Sequence, residues 1–152
     1  MEYANYGGWH WYRSGAYKID PEKCGKWMYF FTDEAFAKNI CKKAILEKVC
    51  NECKCSDLKM TDSTSGAICF YLNADDITAH KRIITFMILN NLIQKTKAEK
   101  FKNISFKYDT QTRAGEYGKD FKGKITLSQF VDLKTGDWIY NREYIAPSNR
   151  SE

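Results

Sequence analysis

The stretch "GKWMYFFTDEAFAKNI" at 25–40 decides how the chain is read. A glycine opens a continuous apolar and aromatic run, then Thr32, Asp33 and Glu34 break it, and apolar residues return at wider spacing. An unbroken run of this length suits a strand covered on both faces. Thr32 or Asp33 can accept from the free amides of a helix start, and Glu34 suits the positive end of its dipole. Phe36, Ile40, Ala44 and Ile45 then mark one helical face. The segment therefore reads strand, cap, helix.

"GAICFYLNADDITAHKRI" at 66–83 follows the same order. Setting Gly25 on Gly66 places Phe31 on Leu72 and Thr32 on Asn73. Asn73 is the expected cap, with Asp75 and Asp76 in the first turn. Ile77, Ile84, Ile88 and Leu92 form the stripe, and Ile83, Phe86, Met87 and Leu89 widen it. Asn90 and Asn91 end it. Each central strand has a predicted partner before it: "YRSGAYKI" leads into the turn "DPEKCG", and "KCSDLKM" into "TDSTSG". The chain thus reads as two pseudo-repeated β-β-α units.

After residue 100 the period becomes two. "NISFKYD" alternates, with Ile104 and Phe106 opposite Ser105 and Lys107. "KITLSQFVDL" reads as a strand or a strand entering a short helical turn. The expected fold is α+β, a mostly antiparallel sheet with two helices on one face and C-terminal strands, all within a single domain of residues 1–152.

The opening residues Met1, Glu2 and Tyr3 do not read as a secretory leader, and "IITFMIL" at 83–89 is too short to span a bilayer. A cytoplasmic protein with six reduced cysteines and no membrane partner is expected. Cys50, Cys53 and Cys55 lack a second Cys-x-x-Cys or a His pair, so no metal is assigned to them. Leu46, Cys50 and Cys53 instead read as an apolar stripe continuing the first helix.

The net charge of +5 is concentrated. Residues 95–124 carry nine basic side chains against four acidic ones, which equals the whole excess. Such a segment attracts anions. Within it, the loop "TQTRAGEYGKDFKG" at 110–123 follows Lys107 and Tyr108 and contains Arg113 and Tyr117. Arg113 can grip a phosphate in a two-pronged fork, and Gly115 lets backbone approach a ligand. Near the start, "GGWHWYRSG" at 7–15 puts Trp9, Trp11 and Arg13 on one face of an extended segment and His10 and Tyr12 on the other. Aromatic rings beside a guanidinium can stack bases and hold a phosphate.

No phosphate-loop, dinucleotide-binding, serine-hydrolase or kinase pattern is present, and no cofactor is expected. The leading expectation is a non-catalytic module that captures a nucleotide or nucleic-acid phosphate through Arg113, Lys107, Tyr108 and Tyr117, with Trp9, Trp11 and Arg13 stacking. A second is a protein-binding inhibitor or immunity-type factor, compatible in size and composition with a phage or mobile-element accessory protein. A third is a phosphodiesterase or nuclease using His10 or His80, the two histidines of the chain. An open sheet also offers an edge through which a homodimer can form.

Overall fold

The structure is a computed structural model and describes residues 1–15, 19–110 and 125–139. Its elements run β1 (Glu2–Tyr6), β2 (Trp9–Arg13), β3 (Cys24–Phe31), α1 (Glu34–Leu46), β4 (Glu52–Ser56), α2 (Leu58–Thr61), β5 (Gly66–Asn73), α3 (Ile77–Leu89), β6 (Ser105–Tyr108) and β7 (Ile125–Thr126), which leads into a 3₁₀ turn at Leu127–Gln129. The strands lie in the order β1-β2-β4-β5-β3-β6-β7, and each neighbouring pair is antiparallel. The fold is α+β.

The two central runs sit at the middle of the sheet and pair with each other along their whole length, Cys24 opposite Asn73 through Phe31 opposite Gly66. Both alternate apolar side chains to two faces. Trp27, Phe31, Ile68, Phe70 and Leu72 point into the main core beneath α1 and α3. Cys24, Cys69 and Tyr71 point the other way into a smaller cluster.

Local chemistry explains the boundaries. Asp33 accepts from Phe36 N and starts α1. The α1 helix stops at Leu46, and Lys48 turns the chain with φ of 58°. Gly7 and Gly8, with φ of 63° and 82°, close the β1–β2 hairpin in the left-handed region that a two-residue hairpin turn demands. Gly25 is required for space: a Cβ there would lie 2.2 Å from the Phe106 ring.

Several expectations are corrected. The predicted first partner of β3, at 12–19, overlaps β2, which lies at Trp9–Arg13 and pairs with β1 and β4 instead of β3; residues 16–18 lie outside the described residues. Two of the β-β-α strands are thus not neighbours, because β4 and β5 intervene. Asp76, not Asn73, caps α3, accepting from Ala79 N, while Asn73 Oδ1 accepts from Asp20 N. Phe36 and Leu89 face solvent; Ala37 and Cys41 take the inward positions on α1. Leu46 is also exposed, so no helical stripe runs on to Cys53. Cys53 and Cys55 instead alternate inward on β4, which is strand spacing, and both are fully buried. Among the described residues no helix is long and apolar enough to cross a membrane.

Candidate functional site

The helices cover one face of the sheet. On the opposite face, β1, β2, β4, β5 and β3 present Tyr6, Trp9, Trp11, Arg13, Lys54, Tyr71 and Lys26. Register sets this: Tyr6 lies opposite Trp9, Trp11 opposite Lys54, and Lys26 opposite Tyr71. Side chains on paired residues share a face, so the expected parity of Trp9, Trp11 and Arg13 holds.

The rings are ordered. Tyr6 stacks on Trp11 at 5.6 Å and 14°, and Trp11 stacks on Tyr71 at 6.2 Å and 15°. Lys54 Nζ stands 3.8 Å from the Trp9 ring centre, 4.7 Å from that of Trp11 and 5.7 Å from that of Tyr71. The guanidinium of Arg13 lies 4.5 Å over Trp11. Cations over indole faces are attracted by the ring quadrupole, more strongly as water is removed.

The cations differ in their counter-charges. Arg13 Nε donates to Glu52 Oε1 at 2.6 Å, and its Nη2 donates to Tyr6 Oη at 3.0 Å. Lys26 Nζ, buried, donates to Asp109 Oδ1 at 2.9 Å. Lys54 has no carboxylate within ion-pair distance among the described residues. Burial holds its ammonium below the ordinary lysine range. A partly dehydrated charge without a partner is costly unless an anion completes it. Trp11 Nε1 is also buried without a hydrogen-bond partner.

Of the predicted site residues, Trp9, Trp11 and Arg13 are brought together here. Lys107 lies on the same face, in register with Lys26. It stands four strand spacings from β2, about 19 Å. Tyr108 is corrected: it turns to the helix side, is 3% exposed and meets the Phe106 ring edge at 5.3 Å. A ligand on the open face cannot touch it. Arg113 and Tyr117 lie outside the described residues. Lys95, Lys97, Lys100 and Lys102 are exposed on the connection between α3 and β6, where Lys95 lies over the Phe101 ring at 5.2 Å.

Lys54, Tyr71, Tyr6 and Lys26 escaped the sequence reading. The signal for Lys54 was present in "CKC": if Cys53 and Cys55 turn inward on a strand, the lysine between them must turn outward.

Both histidines leave solvent. His80 is fully buried, with Trp27 Nε1 donating to its Nδ1 at 3.0 Å and its Nε2 donating to Ala74 O at 2.8 Å. An indole N–H can only donate and a carbonyl only accept, which fixes the neutral tautomer with hydrogen on Nε2. Burial pushes its pKa down to about 4. His80 is a core polar link out of reach of a substrate. His10, expected to be accessible, is 7% exposed and turned toward α1.

The cysteines are buried as well. Burial pushes the thiol of Cys69 up to about 11 and raises that of Cys53.

Compared with known proteins, the chain matches no family model, no curated protein and no solved structure.

Proposed function

We propose that the chain is a non-catalytic binding module that takes single-stranded nucleic acid across the open face of its sheet. The observation that carries this reading is Lys54: an ammonium set against three aromatic rings and lacking a carboxylate partner among the described residues. Phosphate supplies the missing charge, and bases supply flat partners for Tyr6, Trp9 and Trp11. The row of rings from Tyr6 through Trp11 to Tyr71 suits the successive bases of a strand. Arg13 lies stacked on Trp11, with two of its five N–H groups taken by Glu52 and Tyr6 and the others left to reach a phosphate.

The test is fluorescence anisotropy with a labelled oligothymidylate at low salt, run beside a duplex of equal length. The single strand should bind, quench tryptophan emission and dissociate with added salt by counterion release. Absence of binding at low salt rejects the proposal.

Phe30, 72% exposed on this same face, favours a second reading, an aromatic interface for a protein target. A pull-down that survives nuclease treatment and is lost in Phe30→Ser would support it.

A further inference from the structure

On the helix-covered side, near the β1–β2 edge, three potential metal-binding side chains from separate elements meet. His10 comes from β2, Glu34 from the first turn of α1, and Asp57 from the residue capping α2. His10 Nε2 lies 3.2 Å from Glu34 Oε1 and 3.8 Å from Asp57 Oδ2. The three donor atoms all lie within 4.8 Å of one another. A cation bonded to nitrogen and oxygen at about 2.0–2.2 Å holds its ligands roughly 3.0–3.5 Å apart. Drawing the donor atoms together by at most about 1–2 Å thus gives three-point coordination.

We propose that His10, Glu34 and Asp57 form a binding site for a first-row divalent transition ion. Helix capping explains part of the arrangement: Asp57 Oδ1 accepts from Met60 N and Glu34 Oε1 from Leu58 N. Capping does not explain why an imidazole, with its side chain 9% exposed, is aimed between two carboxylates. The surroundings also suit a ligating histidine. Tyr3 Oη lies 2.8 Å from His10 Nδ1. Asn5 Nδ2 lies 3.2 Å from the same nitrogen, but its two hydrogens have other acceptors in Trp9 O and Asp57 Oδ2. Nδ1 thus faces Tyr3 Oη at the shorter distance and Asn5 Nδ2 at the longer one.

Without a cation, Tyr3 O–H donates to Nδ1 and Nε2–H donates to Glu34. With one, the ring proton sits on Nδ1 and is given to the Tyr3 oxygen, and the Nε2 lone pair faces the ion. Outer partners of this kind orient ligating histidines. Glu34, with its side chain 31% exposed, is the side from which an ion and its remaining water ligands enter.

One imidazole and two carboxylates select zinc, manganese, iron or cobalt over magnesium and calcium, which prefer oxygen alone. Cys55 is paired in register with His10, so the identity of the ligands must be read directly.

The experiment is titration of the chelator-treated full chain with Co²⁺ and Zn²⁺, by calorimetry and visible absorption. One equivalent should bind, Mg²⁺ should not compete, and the cobalt spectrum should lack a thiolate charge-transfer band. Glu34→Gln should remove saturable binding. Tyr3→Phe, at an exposed residue, should weaken it about tenfold with an unchanged circular dichroism spectrum. Three outcomes would overturn the proposal: no stoichiometric binding, a thiolate band, or equal affinity in the wild type and in both variants.

Discussion

Replacing His80 by glutamine should remove much of the acid sensitivity of the fold. His80 is sealed between β3 and α3 and is neutral, with its ring over Phe130 at 4.7 Å and Trp27 donating to it. An imidazole that titrates at 6.5 in the open chain and at about 4 when folded binds its proton more tightly in the unfolded state. Its contribution to stability is full above pH 6.5, falls as pH drops toward 4 and is gone below that. At 1.36 kcal/mol per pH unit of difference, the loss between pH 7 and pH 4 is about 3 kcal/mol. Glutamine does not titrate. It can still donate to Ala74 O but leaves Trp27 Nε1 without its acceptor, a cost of about 1–3 kcal/mol at any pH. Urea denaturation at a series of pH values, wild type against His80→Gln, separates the two effects. The variant should be weaker at pH 7, and the gap should close or reverse by pH 4. Curves that stay parallel from pH 7 to pH 4 would refute the burial of a neutral His80.

Gly25→Ala drives a methyl into the buried Phe106 ring and should cost about 1–3 kcal/mol in chemical denaturation; a stability within 0.5 kcal/mol of wild type would show that this approach of β3 and β6 is looser than described. Asp76→Ala should cost about 1 kcal/mol by loss of the α3 cap; an unchanged thermal melt would return the cap to Asn73. All six cysteines should resist a thiol reagent in the folded protein and react together in denaturant; fast native labelling of Cys53 or Cys55 would contradict the packing of β4.

The parts of the fold readable in advance are those set by neighbours along the chain. The central strands, the Asp33 cap and the turn from strand to helix depend on residues a few positions apart. The facing of Trp9, Trp11 and Arg13 follows from the period of two. Strand order was not readable, because β2 joins β4 far along the chain, Arg13 opposite Glu52, and nothing local in "WHWYR" names that partner. The same cause hid the aromatic face, since Lys54 and Tyr71 reach Trp9 and Trp11 through that pairing. Tyr108 was misplaced because its strand alternates from Phe106, and both aromatics take the inward side. His10 looked open on an edge hairpin, but α1 packs over it through Glu34.

The proposal that nucleic acid lies on the open face is tested most directly by Lys54→Met, which keeps the stem and removes the charge. Oligothymidylate affinity is measured against salt for wild type, for this variant and for Lys134→Met, an exposed control. Loss of one phosphate contact should lower the log–log salt slope by about 0.7 in Lys54→Met and leave the control unchanged. Equal affinities and equal slopes in all three proteins would contradict the account.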